Sequence, residues 1–376
     1  MADKVLDQLS DMLRHDIEFA KDSARTSGGS CQDPPLDSPI TRGEDVGYPA
    51  STSPSLPLRV AHDAGWLRVL VSHPNGIAID DIASQTSSEP GLVQRLLRLL
   101  AAGGSVDEAG RGAYKPNDLT RVLQTEGLAA GLRHASDEYT HTLSKMPEYF
   151  RQNGYKQPTA DVQSIYHFTH GVSAFEQFVR SPDRAEAFNT FMGYARIGKK
   201  NWFDVYPIPQ LQVKNTEDVL MVDIGGNRGH DLVAFAKKLN QSGRENYVGK
   251  LINQDLEKVL NEAPAEWQTV FTKQPHDFFT PQPPSCRGAR VYNMKTVLHD
   301  WPDSDCVKIL SHVKDAMTLG YSTLLINEVV LPDTECGWLA AGMDITMLAC
   351  LSGKERSETE WRRLVGQVEG LRVVKV

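Results

Sequence analysis

The chain has 376 residues, with 48 acidic and 40 basic side chains and a formal net charge of −8. At 40% hydrophobic and 23% charged residues it has globular composition, and its length predicts two domains, since single cores stop growing at roughly 250–300 residues. The acidic balance argues against a nucleic-acid partner.

Three further classes are disfavoured by residue patterns. No apolar run reaches the ~18–20 residues of a membrane span, so we expect no membrane partner. Five scattered cysteines without a CxxC pair support neither a metal site nor a disulfide framework. The charged N-terminal sequence MADKVLDQLSDMLRHD has no secretory hydrophobic region, so we expect a cytoplasmic protein.

The N-terminal part is predicted to contain helices and a small hairpin. Hydrophobic spacing predicts an amphipathic helix over 3–20, and the Gly, Ser and Pro content of 26–58 predicts a loop. Three helices follow, over PLRVAHDAGWLRVL, IDDIASQTS and PGLVQRLLRLLAAGG, and then a hairpin over SVDEAGRGAYKPNDLT. This order is typical of a winged helix. The third helix carries only Arg95 and Arg98 among its leucines, which favours a packing module over DNA binding.

Residues 126–215 are predicted to be helical, and from residue 218 onward strands alternate with helices. The predicted strands are VLMVDIGG, YVGKLINQD, WQTVF, ARVYNM and STLLINEVVL, with helices over HDLVAFAKKL and 303–318. This alternation predicts an α/β fold with a mostly parallel, doubly wound sheet.

The change of pattern predicts two domains, over residues 1–125 and 126–376. The final LRVVKV is predicted to be the penultimate strand of the sheet. We therefore expect its partner strand to be missing from this chain and the edge of the sheet to be exposed.

VLMVDIGGNRGHDL has the form of a strand, a glycine-rich turn and a helix start. Gly225 and Gly226 allow a tight turn and a close approach to a ligand. The dinucleotide fingerprint G-x-G-x-x-G does not fit, because Asn227 stands where its second glycine is needed. Asp223 at the strand end suits a cationic, aminoacyl-bearing nucleoside better than a pyrophosphate, which favours S-adenosylmethionine (SAM) over NAD.

Two more acids lie at the ends of the following strands. Asp255 ends LINQD, where an acid can bind ribose hydroxyls, because ligands of open α/β sheets lie beyond the carboxyl ends of the strands. Asp277 can accept from an adenine amino group while Phe278 packs on the base. Each acid alone is also explained as a helix cap. Three at consecutive strand ends predict a SAM site.

MKTVLHDWPDSD places His299 just past the carboxyl edge of the sheet. A neutral imidazole can take a proton from a hydroxyl near pH 7, and Glu328 and Glu355 can orient it. Methyl transfer from a sulfonium needs little beyond alignment and a deprotonated oxygen. The alternative is a structural histidine, with Asp300 capping the helix over 303–318.

The chain resembles the plant-type (caffeic-acid-like) and fungal SAM-dependent O-methyltransferases over roughly residues 56–376. The motifs that carry the resemblance are VDIGGNRGHDL, INQDL, HDFF, MKTVLHDWPD, NEVVLPD, MDITMLA and GKERSETEW. It implies a Rossmann-like SAM-binding domain, an α-helical winged-helix dimerisation domain, a homodimer and a small-molecule acceptor. Asn227 departs from the glycine that many members carry, and the segment before the winged helix is unusually rich in Pro and Ser.

The resemblance also implies roles for individual residues. His299 matches the general base, and Glu328 and Glu355 match the acids beside it. The positions that match cofactor contacts are Gly225, Asp255, Asp277, Phe278, Lys295 and Trp301. Met192 and Met347 match methionines that hold an aromatic acceptor.

Three functions remain open. The first is methyl transfer to a hydroxyl of an aromatic, polyketide or similar secondary metabolite. The second is a pericyclase or dehydratase that uses the charge of bound SAM, as some fungal relatives do, with His134, Lys295 or Arg196 as donors to a carbonyl. The third, a non-catalytic SAM-binding protein, leaves the His299, Glu328 and Glu355 set unexplained.

Overall fold

The computed structural model describes residues 55–159, 163–194, 201–206, 211, 213–241 and 249–376. Arg196, the predicted helix over 3–20 and most of the predicted loop over 26–58 lie outside these residues. The chain divides into two compact units, Met1–Thr140 with Ser181–Gly198, and His141–Arg180 with Lys199–Val376. The domain boundary predicted after residue 125 stays a prediction.

The α-helices of the described residues are, in chain order, α1 (Ser55–Asp63), α2 (Trp66–Val71), α3 (Ile79–Thr86), α4 (Pro90–Ala102), α5 (Asp118–Val122), α6 (Glu126–His134), α7 (His141–Ser144), α8 (Met146–Gln152), α9 (Ile165–His170), α10 (Ala174–Arg180), α11 (Pro182–Tyr194), α12 (Trp202–Val205), α13 (His230–Gln241), α14 (Glu257–Asn261), α15 (Asp303–Ala316), α16 (Trp338–Leu351) and α17 (Glu358–Val365). The strands are β1 (Ile77–Ala78), β2 (Asp107–Gly110), β3 (Ala113–Lys115), β4 (Val219–Ile224), β5 (Lys250–Asp255), β6 (Thr272–Pro275), β7 (Val291–Lys295), β8 (Thr323–Asn327), β9 (Val330–Leu331) and β10 (Arg356–Ser357).

The first unit packs helices α1–α5 around a small antiparallel sheet of order β1-β3-β2. This arrangement confirms the predicted hairpin. The single helix predicted over PLRVAHDAGWLRVL is wrong, because the structure divides this segment into α1 and α2. Gly65, between them, has a φ of 79°, a left-handed value that glycine adopts at little cost and that ends a helix. The winged-helix and dimerisation assignments stay predictions.

The second unit contains the predicted parallel sheet, with strand order β6-β5-β4-β7-β8. The apolar side chains of the sheet belong to two clusters, one that includes α13 and one that includes α15 and α17. The register pairs Asp223 of the central strand β4 with Asn253 of β5 and Asn293 of β7. The carboxyl ends of these strands therefore meet at one edge of the sheet, as a doubly wound fold requires.

Two predicted strands differ from the structure. WQTVF is wrong as a strand: Ala265–Thr269 forms a 3-10 helix that follows Pro264, and β6 begins only at Thr272. STLLINEVVL is interrupted at Glu328, so β8 ends there and β9 pairs with β10 in a separate sheet. The interruption has a physical reason, because the Glu328 carboxylate turns to accept backbone N–H groups from the loop after β7.

LRVVKV is also wrong as a strand. Residues 371–376 have no regular secondary structure, and β8 is one of the two edge strands of the described sheet. An extended segment becomes a strand only when a neighbour pairs with its N–H and C=O groups, and no such ladder is found for these residues within the described part of the chain.

Candidate active site

The three predicted catalytic side chains meet around the turn Leu298–Asp300, which follows β7. The Nδ1 atom of His299 lies 2.8 Å from Oε1 of Glu355 and 4.0 Å from Oε2 of Glu328. On the other side of the ring, Nε2 lies 3.3 Å from Oδ1 of Asp300. The helix-cap interpretation of Asp300 is wrong, because α15 begins at Asp303 and its N-cap is Pro302.

This cluster changes the proton affinity of its members. Burial lowers the pKa of His299, but the hydrogen bond with Glu355 and the charges of Asp300 and Glu328 outweigh it and raise the pKa to about 9. Burial raises the pKa of Asp300 to about 6 and that of Glu328 to about 7. At neutral pH the imidazole therefore carries a proton and is surrounded by three carboxyl groups.

Backbone hydrogen bonds hold the two glutamates in place. Oε1 of Glu328, directly after β8, accepts the N–H groups of Val297 and Leu298 at 2.9 and 2.8 Å. The N–H of Glu355 donates to Oδ1 of Asp344 in α16 at 2.9 Å. The remaining oxygen of each glutamate, Oε2, is buried without a hydrogen-bond partner among the described residues. The carboxylate of Glu328 and the main chain of Glu355 are thus held in place beside the imidazole.

The glycine-rich turn after β4 lies directly against the loop that carries His299. Gly225 has a φ of 68°, and a Cβ atom added to it would lie 2.8 Å from Cγ2 of Val297. A Cβ atom on Gly226 would lie 2.1 Å from Oδ1 of Asn253. Asn227 has a φ of 53°, a left-handed value that asparagine adopts more readily than most non-glycine residues.

Two of the strand-end acids support this turn. Asp223 is only 2% exposed and accepts a hydrogen bond from Nδ2 of Asn293 at 2.7 Å, beneath the turn. Asp255 accepts the N–H of Asn227 at 2.8 Å and that of Leu256 at 2.8 Å, one on each oxygen. Asp255 is therefore oriented by main-chain donors, and each oxygen keeps a second lone pair for a ligand hydroxyl.

Aromatic rings lie next to the third acid. Asp277 is exposed and accepts the N–H of Phe279 at 2.9 Å. The Trp301 ring contacts Phe278 and Phe279, with centroid distances of 5.9 and 4.7 Å, and stacks on Phe175 at 6.0 Å. Sequence reasoning missed Phe175, because nothing in its local pattern distinguishes it from the other aromatics between 126 and 215.

The other residues predicted to contact the cofactor or the acceptor do not lie in the His299 cluster. Nζ of Lys295, at the end of β7, lies 3.0 Å from Oδ1 of Asp231 in α13. Met347 is buried in α16 of the second unit, whereas His134 and Met192 lie in α6 and α11 of the first unit. Nε2 of His134 lies 2.9 Å from the Tyr139 hydroxyl, and burial lowers the pKa of His134 to about 4, so this ring is neutral.

The residues at this edge fit an adenosine that carries a cationic amino acid. Asp255 and Asp277 are acceptors for hydroxyl and amino groups, Phe278 and Trp301 offer apolar ring surface, and the glycine turn leaves no room for a side chain. Oδ1 of Asn253 is buried without a hydrogen-bond partner among the described residues. In the same residues, no group of three metal-binding side chains and no helix able to span a membrane is found.

The parallel sheet, the glycine turn and the strand-end acids define a Rossmann-like domain of the methyltransferase class. The sequence profile of the O-methyltransferase domain matches residues 152–370. The chain is 33% identical over 347 residues to the O-methyltransferase penC of Penicillium thymicola, which covers 91% of this chain and 85% of that protein. The chain therefore belongs to the O-methyltransferase family.

Solved structures agree with this assignment. The chain is similar to a structure described as "A Pericyclic Reaction enzyme", with a TM-score of 0.73, 26% identity and coverage of 83% of this chain and 80% of that one. A complex of LepI with SAM has a TM-score of 0.74 at 26% identity and covers 83% of this chain and 79% of that one. The predicted family and parallel α/β fold are confirmed, and with them SAM as the cofactor of the family.

Proposed function

We propose that this chain is a SAM-dependent O-methyltransferase that acts on a hydroxyl of an aromatic, polyketide or similar secondary metabolite. The observation that supports it most is the 2.8 Å contact between Nδ1 of His299 and Glu355, on a loop in contact with the glycine turn. This contact fixes the ring and leaves Nε2 as the atom that accepts a proton from the hydroxyl.

The residues at the sheet edge have separate roles in holding the cofactor. When bound, SAM supplies an electrophilic methyl group on a cationic sulfur. The turn at Gly225 and Gly226 would receive its aminoacyl part, Asp255 would bind the ribose, and Asp277 with Phe278 would bind the adenine. These assignments rest on the strand-end position and hydrogen-bonding capacity of each residue.

His299 can accept the proton of the hydroxyl only when its imidazole is neutral. With a pKa of about 9, the imidazole is neutral in on the order of 1% of molecules at pH 7. Any cation bound beside the loop raises this fraction, because a positive charge disfavours the protonated ring. Asp300, 3.3 Å from Nε2, has to move away from that atom when a hydroxyl approaches.

An assay of cofactor turnover tests the proposal. Labelled SAM is incubated with a panel of simple phenols, and S-adenosylhomocysteine (SAH) is quantified. His299→Gln should lower SAH formation by about 10²–10⁴-fold while the affinity for SAH, measured by calorimetry, stays at the wild-type value. His141→Gln, a change at an exposed histidine outside the cluster, is the control. Unchanged turnover in His299→Gln would refute the role of His299 as the base.

A second candidate is a SAM-binding pericyclase or dehydratase that transfers no methyl group. One observation favours it: a protonated His299 is a hydrogen-bond donor, the kind of group that can activate a carbonyl. The donors first considered are weaker candidates, since His134 is neutral and Lys295 lies 3.0 Å from Asp231. Conversion of the true substrate to an isomer without SAH formation would establish this second function.

We also propose that the chain is a homodimer and that residues 1–125 form its dimerisation domain. The proposal rests on the helix and hairpin order of the first unit and on the family resemblance. Light scattering of the full chain measures the mass directly, and a monomer at micromolar concentration would contradict it.

A further inference from the structure

Arg356, the residue after Glu355, is completely buried beneath the loop that carries His299. Its Nη1 donates to the carbonyl oxygen of Leu298 at 3.0 Å, and its Nη2 donates to that of Trp301 at 2.8 Å. Nε and Nη2 also donate to Oδ1 of Asp303 at 2.9 and 2.8 Å. One guanidinium therefore holds the main chain on both sides of His299.

The neighbours of Arg356 hold the same loop. The N–H of Lys354 donates to the carbonyl oxygen of His299 at 2.8 Å. Gly353 passes so close to this oxygen that a Cβ atom on it would lie only 2.2 Å away. The carbonyl groups of residues 298, 299 and 301 thus all accept from the segment that also supplies Glu355.

A buried arginine is stable only when its charge is paired and its donors are satisfied. Among the described residues its carboxylate partner is Asp303, whose side chain is 38% exposed. Its other acceptors are the carbonyl oxygens of Leu298, Trp301 and Lys354 and the sulfur of Cys306, all of them uncharged. The planar fork of an arginine can reach two separated carbonyl groups at once, whereas the ammonium of a lysine is a single point. The geometry of the site thus depends on the guanidinium shape as well as on its charge.

We propose that Arg356 is a positioning residue for His299, and that its bonds to Leu298 and Trp301 keep the imidazole against Glu355. The proposal rests on the proposed role of His299 as the proton acceptor. The arginine of GKERSETEW thereby gains a role of its own, beyond the family resemblance that this motif carries. A loop displaced by about 1 Å is enough to slow a reaction by about 100-fold.

Titration of His299 in Arg356→Lys tests the proposal without an acceptor. The full chain is labelled at histidine, the imidazole signals are followed by NMR from pH 5 to 10, and His299→Gln identifies the signal. Lysine keeps the positive charge, so a changed titration reports the position of the loop. We expect the pKa of His299 to fall by about one unit or more, as its bond with Glu355 weakens.

Further measurements separate positioning from a general loss of structure. The affinity of Arg356→Lys for SAH should fall far less than its SAH formation with the phenol panel, which should fall about 100-fold. The control is Arg362→Lys, which changes a half-exposed arginine that pairs with Glu358 on α17, and it should titrate as the wild type does. A folded Arg356→Lys with the wild-type titration of His299 would overturn the proposal.

The role of Arg356 and the proposed methyl transfer can fail independently of each other. If the pKa of His299 is lower in Arg356→Lys than in the wild type, but the wild type forms no SAH from SAM, only the proposed methyl transfer is contradicted. If Arg356→Lys does not fold, Asp303→Ala removes one anchor of the guanidinium, and Asp305→Ala removes a carboxylate of the same helix that pairs with Lys308. A lower pKa of His299 in Asp303→Ala than in Asp305→Ala supports the proposal, and equal values overturn it.

Discussion

Glu355→Gln gives the sharpest test of how the His299 cluster handles a proton. The substitution keeps the size of the side chain and removes the charge that lies 2.8 Å from Nδ1 of His299. A hydrogen bond to a charged group contributes about 1.5–3 kcal/mol, and one pKa unit corresponds to about 1.4 kcal/mol. The pKa of His299, raised to about 9 in the wild type, should therefore fall by about one to two units.

Two independent measurements should agree on this shift. NMR titration of labelled histidine reports the pKa of His299 directly. The pH profile of kcat/KM reports it in the free enzyme, since a base acts only after it has lost its proton, so the rate rises with pH until the pKa is passed. The inflection should move to lower pH in Glu355→Gln, while the plateau should fall because the ring is less well oriented.

The control for this prediction is Glu358→Gln, which changes a nearby carboxylate that pairs with Arg362 at the surface. Its titration and its pH profile should match those of the wild type. A pKa of His299 that moves by less than about half a unit in Glu355→Gln would show that the carboxylate does not hold the proton there. A kinetic inflection that fails to follow the NMR value would show that another group is the base.

Three further predictions concern turnover and cofactor binding. His299→Gln should lower SAH formation by about 10²–10⁴-fold, the usual contribution of a general base, with calorimetry showing unchanged SAH affinity. Gly226→Ala should abolish SAH binding in calorimetry, because the added Cβ would lie 2.1 Å from Oδ1 of Asn253; normal affinity would mean that the turn can move. Asp255→Asn should weaken SAH binding by about 10–100-fold, because it removes the charged carboxylate that accepts the N–H of Asn227 and is assigned to the ribose hydroxyls. An unchanged Kd for SAH would contradict this role of Asp255.

The sequence alone was sufficient for the parts of the protein that depend on local pattern. Alternating strands and helices predicted the parallel sheet, and VDIGGNRGHDL predicted a strand, a tight turn and a helix start. The positive φ values of Gly225 and Asn227 follow from these residue types and their place in the turn. Because the carboxyl ends of parallel strands share one edge, the strand-end acids could also be expected to lie near the glycine turn.

The sequence predicted Glu328 and Glu355 as partners of His299, but only the tertiary structure decided the distances and the proton affinity at this site. The contact with Glu355 joins residues 56 positions apart, and the bond from Arg356 to the carbonyl of Leu298 joins residues 58 positions apart. No local pattern could show that Asp300 lies beside Nε2 or that Glu328 interrupts a strand to bind backbone amides. The proton affinity of His299 is the balance between burial and three carboxyl groups, and that balance exists only once the folded chain has brought them together.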